Sequence, residues 1–253
     1  MSGKLIFSVS HRIEEIDLSK KKRSLLYEAN QSNIYNYLNW KGNNEYVVEN
    51  YHIIKGYQIE VIDITNGRNK VLAKGSRPLY LGGKIIYIDG NELLIKPVAV
   101  EQVPKILSKD VHKYSKAPLR ISDREVAYYD FNNKIAIFNL DNGATHSLGK
   151  THCIPWAFIP VINSFVCKSE KNGAFYLLNE RSDQNLEKMF IDGAKLGVRE
   201  NMIISADGKH LIYSKVRKIS LSEKQDVYLY DLTQKKEFKY LDDVTITSGV
   251  TVK

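Results

Sequence analysis

The sequence predicts an all-β fold, a six-bladed β-propeller of four-stranded antiparallel blades whose ring is closed by the C-terminal strand. Three observations predict it. A strand–strand–turn–strand unit, clearest in Ser205–Lys215 and Asp226–Asp243, occurs about six times in the 253 residues. A polar residue recurs near the end of the third strand at intervals of 33 to 52 residues, on either side of the roughly 40–45-residue period of propeller blades. The first unit lacks one strand, and Val244–Lys253 has one to spare.

The recurring polar residue is Asp or Asn in most units, and we expect its side chain to accept a hydrogen bond in the turn that follows the strand. Proline opens three units, at Pro78, Pro118 and Pro155, and we expect it at the first residue of a strand, where its missing N–H costs no ladder bond. The recurring polar positions are Asp17, Asp63, Lys96, Asn139, Asn179 and Asp231.

The first three units divide into strands separated by turn residues. Asn66-Gly67 is a strong hairpin signal, because both central residues of a type I′ turn need positive φ. Gly82-Gly83 and Asp89-Gly90-Asn91 mark two further tight turns. The predicted strands are Leu5–Val9, Arg12–Leu18, Ser24–Ala29, Ile34–Trp40, Glu45–Ile53, Tyr57–Ile64, Lys70–Lys74, Pro78–Leu81, Lys84–Asp89, Glu92–Val98 and Lys105–Ser108.

The last three units repeat the pattern, with turns at Asn132-Asn133 and Asp141-Asn142-Gly143. Val216–Lys224 is a longer insertion in the sixth unit, either a contact loop or a longer hairpin. The predicted strands are Leu119–Ser122, Glu125–Asp130, Lys134–Leu140, Thr145–Leu148, Trp156–Val161, Ser164–Ser169, Ala174–Asn179, Leu186–Ile191, Asn201–Ser205, His210–Lys215, Val227–Leu232 and Glu237–Leu241.

The chain end is expected to complete the first blade. Only three strands fit before Ala29, so we expect Thr245–Ser248, or its continuation, to fill the inner place of blade 1, since a closed ring leaves no open edge. The chain is therefore predicted to be a single propeller domain, residues 1–253, with blade 1 completed by residues 244–253.

One stretch resembles a known family. Ser205–Lys215 (SADGKHLIYSK), followed by the strand VYLYDL, is similar to the repeat of TolB-like propellers, whose blades carry a Ser-Pro-Asp-Gly-Lys turn before a strand; here Ala206 replaces the proline. IEVIDI and VYLYDL also resemble the end of WD repeats, although the Trp is absent and no Gly-His pair precedes it. The resemblance implies a six-bladed propeller and no particular activity, because propellers carry many functions.

The residue types that carry chemistry do not form a recognisable motif. No two of the six histidines have the spacing of a helical zinc pair, and there is no C-x-x-C. His152 and Cys153 suggest a nucleophile pair, but adjacent residues of a strand point to opposite faces. We therefore expect no catalytic residues, no metal and no cofactor; this favours a protein that is not an enzyme and leaves an enzyme as the open alternative.

Binding is expected at the mouth of the central channel, on the loops that lead into and out of the inner strands. Aromatic and arginine side chains there are the types that dominate binding hot spots. Trp40 and Trp156 have an alternative, packing between blades, whereas arginines are hard to bury without partners. The candidate residues are Arg77, Arg120, Trp156, Arg199, Tyr80, Trp40, Lys116 and His152, with Tyr35 and Tyr37 on the same loops.

These features favour a non-catalytic binding module or scaffold that binds another protein; an inhibitor or immunity-like role also fits. The chain has 37 basic and 29 acidic residues, a net charge of +8, which suggests an acidic partner, although charge spread over many turns also serves solubility. Two alternatives stay open: a propeller-type hydrolase or lyase acting on a glycan or peptide, and a nucleic-acid binder using lysine-rich turns such as Ser19–Arg23. Nucleic acid is the less expected partner because the lysines are scattered.

A cytoplasmic monomer without a membrane segment is the default expectation. The apolar run near the N-terminus, Leu5–Phe7, is too short for the core of a signal peptide. No stretch approaches the roughly 18 apolar residues of a membrane helix. Cys153 and Cys167 fall on neighbouring predicted strands and could pair, but buried reduced thiols are expected in a chain of this kind.

Overall fold

The computed structural model describes residues 4–113, 115–148, 152–179, 186–189, 202–205, 208–219, 222–242 and 248–252. Apart from one turn of 3₁₀ helix at Pro160–Ile162, the regular structure of these residues is β-strand. No helix in these ranges is long and apolar enough to cross a bilayer. The strands are β1 Lys4–Val9, β2 Arg12–Asp17, β3 Lys22–Glu28, β4 Asn33–Gly42, β5 Glu45–His52, β6 Gly56–Asp63, β7 Arg68–Lys74, β8 Ser76–Leu81, β9 Lys84–Asp89, β10 Glu92–Pro97, β11 Lys105–Ser108, β12 Leu119–Arg120, β13 Glu125–Tyr129, β14 Ile135–Asn139, β15 Thr145–Ser147, β16 Cys153–Ile159, β17 Ser164–Ser169, β18 Phe175–Asn179, β19 Leu186–Lys188, β20 Ile203–Ile204, β21 His210–Ile219, β22 Ser222–Asp231, β23 Lys236–Leu241 and β24 Ser248–Val252.

The strands form six four-stranded antiparallel sheets, which confirms the prediction of an all-β, six-bladed propeller. Blade 1 has the order β24-β1-β2-β3, and blades 2 to 6 are the successive groups β4–β7, β8–β11, β12–β15, β16–β19 and β20–β23. The chain divides into two compact units, Met1–Asp110 with Ile246–Lys253, and Val111–Thr245. Unit 1 therefore holds blades 1 to 3 and unit 2 holds blades 4 to 6, and the single-domain organisation stays a prediction.

The C-terminal strand completes blade 1. β24 runs antiparallel to β1, with Leu5 opposite Val252 and Phe7 opposite Val250. The strand is the continuation, Ser248–Val252, of the expected segment; residues 243–247 lie outside the described ranges. The side chains of Leu5, Ile6 and Phe7 are buried, so β1 is an interior strand that needs a neighbour on each side.

Two apolar layers build unit 1, one on each face of blade 2. Successive residues of β5 point to opposite faces, so Tyr46 and Val48 pack toward blade 1 while Val47 packs toward blade 3. The layer shared with blade 1 includes Ile6, Ile13, Tyr35, Leu38 and Ile62, and the layer shared with blade 3 includes Ile59, Val61, Ile85, Tyr87 and Leu94.

Unit 2 repeats this arrangement around blade 5. One layer joins blade 5 to blade 4 through Phe158, Phe165, Ile135 and Ile137. The opposite face joins blade 6 through a layer that includes Trp156, Val166, Phe175, Met202, Leu211, Tyr213 and Tyr230. The alternation of the strands thus places Trp156 in the core of unit 2 rather than on an exposed loop.

The recurring polar residue acts as predicted in the third strands of several blades. Asp63 accepts from the backbone N–H of Thr65 at 2.8 Å, and Asn139 accepts from that of Asp141 at 3.0 Å. Hydrogen bonds from the Ser19 side chain and the Lys20 N–H lower the pKa of Asp17. The Gln234 N–H does the same for the pKa of Asp231. Lys96 departs from the pattern, because its ammonium group donates to the Leu72 carbonyl at 2.7 Å.

The expectation that proline is the first residue of an inner strand is wrong for all three prolines, and Pro118 lies just before β12. Pro78 and Pro155 are each the third residue of their strand, β8 and β16. The pairing register shifts between Ser76 and Leu79, and between Pro155 and Ala157. A bulge leaves a backbone N–H outside the ladder, so it tolerates proline as well as a strand start does.

The insertion in the sixth unit is a longer hairpin. β21 and β22 stay paired from His210–Asp231 out to Ile219–Ser222. The ladder therefore runs through most of the inserted segment, and the alternative of a contact loop is wrong for the paired residues.

Cys153 and Cys167 form a disulfide between β16 and β17, which corrects the expectation of reduced thiols. Pro155 lies opposite Cys167, so the two cysteines are diagonal neighbours on one face of blade 5, with Cα atoms 5.3 Å apart. That separation is within the range that a disulfide spans. Both side chains are buried in the layer that faces blade 4.

Gly75→Ala is expected to destabilise unit 1 by about 2–3 kcal/mol. Gly75 has φ of +136°, and a Cβ there would lie 2.7 Å from Cδ2 of Tyr87 and 3.0 Å from the Ile88 carbonyl oxygen. Urea unfolding of the variant measures the loss. Gly67→Ala is the matched control, because Gly67 also has positive φ but open space around it. Equal losses for the two variants would contradict the steric argument.

The protein is expected to lose stability above about pH 10, where tyrosine begins to ionise in the unfolded chain. Burial, followed by the Asp89 charge, raises the pKa of Tyr87 to about 12. Because the folded pKa is the higher one, the contribution is complete below about pH 10 and is lost as the pH rises toward about 12. Tyr87→Phe should remove about 1 kcal/mol of the decline between about pH 9 and pH 11 in denaturant titrations. An unchanged decline would contradict the assignment.

Candidate functional site

The inner strands of blades 2 and 3 both carry bulges in unit 1. The register of β4 shifts between Asn36 and Asn39, and that of β8 between Ser76 and Leu79. Within these bulges Tyr37 and Arg77 adopt left-handed backbone conformations, with φ of 46° and 55°. Non-glycine residues with positive φ are uncommon and require support from their surroundings.

A buried carboxylate supplies that support. Glu49, 3% exposed, accepts from the Asn36 amide at 3.0 Å and from the Arg77 backbone N–H at 2.8 Å. The Asn39 amide donates to the Tyr37 carbonyl at 3.0 Å and to the Pro78 carbonyl at 2.8 Å. These bonds join the two bulges and hold the backbone at Arg77 in place.

A second polar network lies on the opposite face of blade 2. The Asn50 amide donates to Asn33 and to Glu60, each at 2.8 Å, and Asn69 donates to Glu60 at 3.1 Å. Tyr35 packs beside this network, and burial, followed by the charges of Tyr27 and Glu60, raises the pKa of its hydroxyl well above the usual range. Tyr35 is therefore a core residue of unit 1.

Two lysines flank the indole of Trp156 in unit 2. The ammonium nitrogen of Lys116 lies 4.8 Å from the ring centroid, and that of Lys168 lies 5.2 Å from it. The ring itself packs edge-on against Phe175, with centroids 5.3 Å apart. The indole N–H is buried without a hydrogen-bond partner among the residues that the structure describes, so packing and the two cations hold the ring. A tryptophan face attracts a cation by about 0.5–2 kcal/mol, depending on desolvation.

The two ammonium groups also affect each other. Burial first, and then the positive charge of Lys116, lowers the pKa of Lys168 below that of an ordinary lysine. The Lys168 side chain makes no hydrogen bond or ion pair with any residue in the described ranges. Both lysines keep part of their surface exposed to solvent.

The other predicted residues have simpler surroundings. Arg120 pairs with Asp123 in an exposed turn, and Trp40 is 43% exposed. Tyr80 packs against the layer between blades 2 and 3. His152 is exposed and its carbonyl accepts from the Glu170 N–H at 3.2 Å. Arg199 lies outside the described residues.

The structure thus brings together Lys116 with Trp156, and Tyr37 with Arg77. Sequence reasoning missed Glu49 and Lys168. Lys168 belongs to β17, the second strand of blade 5, and lies opposite Ile154 of β16. Pairing these two strands in the sequence was the one signal that could have placed Lys168 beside Trp156. Glu49 is one of several charges on predicted strands and carried no distinguishing signal.

Six four-stranded antiparallel blades define a six-bladed β-propeller. The structure resembles TolB from Acinetobacter baumannii, with 11% identity and a TM-score of 0.75 over 98% of this chain and 65% of that one. Putative TolB from Agrobacterium tumefaciens gives 10% identity and 0.71 over 97% and 98%, and an oligogalacturonate lyase in complex with manganese gives 12% and 0.60 over 94% and 73%. No family model and no curated protein matches the sequence.

The similarity to TolB structures confirms the resemblance expected from Ser205–Lys215. At these identities the likeness shows the fold alone, and this chain spans less than two thirds of the Acinetobacter TolB chain. Activity and partners must therefore be argued from the residues themselves.

Proposed function

We propose that this propeller is a non-catalytic binding module that holds a protein partner with an acidic surface. The observation that carries the proposal is the pair of interlocked bulges at Tyr37 and Arg77, held by the buried Glu49. Left-handed backbone at non-glycine residues is strained, and strain of this kind clusters at functional sites. A rigid backbone lowers the entropy lost when its side chains bind.

The chemistry of the two bulged residues fits protein recognition. Tyrosine and arginine are the residue types enriched in binding hot spots. The guanidinium of Arg77 matches a carboxylate in a bidentate geometry, and the net charge of +8 agrees with an acidic partner. The likeness to TolB structures supports the fold on which this proposal stands.

The test is capture of proteins from a native lysate at low and at moderate salt, followed by mass spectrometry. We expect one stoichiometric protein that survives moderate salt and is lost with Arg77→Ala. Arg124→Ala is the matched control, because Arg124 is an exposed arginine paired with Asp141 at 3.4 Å. Nucleic acid retained only at low salt would instead favour a nucleic-acid-binding protein. Nothing retained at either salt would overturn the proposal.

A hydrolase or lyase acting on a glycan or peptide is the second candidate, because a structure with the same fold is an oligogalacturonate lyase. Among the described residues, no group of three His, Cys, Asp or Glu side chains is placed to hold a metal ion. A screen of glycan and peptide substrates, with and without added manganese, tests this candidate. Turnover that is lost when a single acidic residue is replaced would favour it over a binding module.

The proposed binding module is a monomer. The Cys153–Cys167 disulfide bears on the cellular compartment in which it works. The sequence favours the cytoplasm, whereas disulfides persist mainly in oxidising compartments. The Cys153–Cys167 bond therefore supports an oxidising compartment. Trapping free thiols during cell lysis decides between the two, because only a protein from a reducing compartment would carry the label on both cysteines.

A further inference from the structure

The connection between the third and fourth strands is longer in blade 3 than in most other blades. It has seven residues, 98–104, whereas blades 1, 2 and 6 use four and blade 4 uses five. Lys96 also stands where the other five blades have Asp or Asn. The Val98 N–H donates to the Gly83 carbonyl and the Gln102 N–H to the Val100 carbonyl, each at 3.0 Å, and these bonds shape the connection. Blade 3 therefore departs from the repeat at one place.

This departure creates a cavity in unit 1. The cavity has a volume of about 350 Å³ and is lined by part of the connection, by β7 of blade 2 and by Lys96. Its apolar lining includes Val71, Val98, Val100 and Val103, and the side chain of Val103 is 91% exposed. The corresponding turns of blades 1, 2, 4 and 6 consist mainly of polar residues and glycine. A concave apolar surface of this size is typical of a small-molecule site.

Charged groups of both signs line the same cavity. The Lys96 ammonium donates to the Leu72 carbonyl at 2.7 Å, which holds this cation at the cavity wall. An ammonium group has three N–H donors, so Lys96 can also donate to a ligand. The side chains of Lys70 and Glu101 line the cavity and make no hydrogen bond or ion pair with any residue in the described part of the chain. The cavity therefore offers two cations, one carboxylate and an apolar wall.

We propose that this cavity binds a free α-amino acid with a branched aliphatic side chain. Its carboxylate accepts charge-assisted hydrogen bonds from Lys70 and Lys96, and its ammonium group donates to Glu101. The aliphatic side chain packs on the valines and removes apolar surface from water. A simple carboxylate would place a second anion beside Glu101, and a simple amine would leave both lysines without a counter-charge. Neither Tyr37 nor Arg77 lines the cavity, so this site is separate from the proposed protein-binding surface.

Isothermal titration calorimetry of the full-length protein with L-leucine tests the proposal. Two related compounds separate the contributions: glycine lacks the apolar side chain, and isocaproate is leucine without its ammonium group. We expect saturable one-to-one binding of leucine, and binding of glycine and of isocaproate that is weaker by about tenfold or more, since each loses one set of contacts. No saturable binding of leucine, or equal affinities for leucine and glycine, would overturn the proposal.

Variants of the charged residues test the role of each group. Glu101→Gln should weaken leucine binding about tenfold and leave isocaproate binding unchanged, because only leucine carries the ammonium group that Glu101 accepts from. Lys70→Gln should weaken the binding of both compounds about tenfold, because both carry the carboxylate.

Lys74→Gln is the matched control, because it removes the same charge from an exposed position of β7 that does not line the cavity. Lys70 and Glu101 are also exposed, so all three variants should melt with the wild type. Two results would overturn the proposal: equal leucine affinities for Lys70→Gln and Lys74→Gln, or an equal loss of leucine and isocaproate binding in Glu101→Gln.

Discussion

A chain that ends at Asp243 is expected to melt about 10–20 °C below the full-length protein, or to remain unfolded. The truncation removes β24, which pairs with β1 from Leu5 to Ser8. The inner edge of β1 then faces water, although its side chains at Leu5, Ile6 and Phe7 are fully buried in the native protein. Exposing part of this apolar surface, together with the backbone N–H and C=O groups of β1 that pair with β24, costs about 5 kcal/mol.

Differential scanning calorimetry of the truncated chain measures this effect. A chain that ends at Val252 is the control, since it keeps every residue of β24, and it should melt with the wild type. Equal melting temperatures for the chains ending at Asp243 and at Lys253 would show that blade 1 does not depend on the C-terminal strand.

Glu237→Ala is expected to reduce the free energy of unfolding by about 3 kcal/mol. The Glu237 carboxylate accepts from the Lys215 ammonium at 2.6 Å and from the Tyr213 hydroxyl. The Lys215 side chain is 3% exposed, so its charge would stay buried without its main partner. Within the described part of the chain, the contacts of Lys215 with the Tyr213 and Tyr228 rings would be all that compensates it.

Urea unfolding at neutral pH measures this loss. The double variant Lys215→Met with Glu237→Ala should recover much of the stability, because it leaves no buried charge. Asp141→Ala provides the surface control: it breaks the exposed pair with Arg124, and such pairs contribute less than about 1 kcal/mol. A loss for Glu237→Ala no larger than for Asp141→Ala would contradict the account of this network.

The middle strands of the blades were predictable because they obey a simple period. Lys84–Asp89 and Ser164–Ser169 match the observed strands residue for residue. Their side chains alternate between two apolar layers, and turn residues with fixed backbone requirements bound them. The polar residue near the end of each third strand marked where that strand stops and the turn begins. The hydrogen bond that Asp63 accepts from Thr65 in that turn confirms this use of the pattern.

The inner strands were less predictable because bulges interrupt their period. The strand expected at Trp156–Val161 is Cys153–Ile159 in the structure, with one register shift, between Pro155 and Ala157. A bulge adds one residue to one strand only, and the alternation of a sequence does not show where this happens. The position of Cys153 opposite the second strand, and with it the disulfide, depends on the same bulge.

The residues of the candidate sites also divide into features that the sequence predicts and features that it does not. Arg77, Lys116 and Trp156 were predictable from the loops and inner strands to which they belong. Their environment was not, because it depends on contacts between strands far apart in the chain, such as Glu49 with Arg77. Lys168 meets Trp156 only through the pairing of β16 with β17.

The measurement that tests the central claim most directly is the affinity of the purified partner for this protein, by isothermal titration at moderate salt. We predict saturable one-to-one binding by the wild type and by Arg124→Ala, and binding at least tenfold weaker by Arg77→Ala, equivalent to about 1.4 kcal/mol. Equal affinities for all three proteins would contradict the claim that the rigid bulge at Arg77 is the binding site.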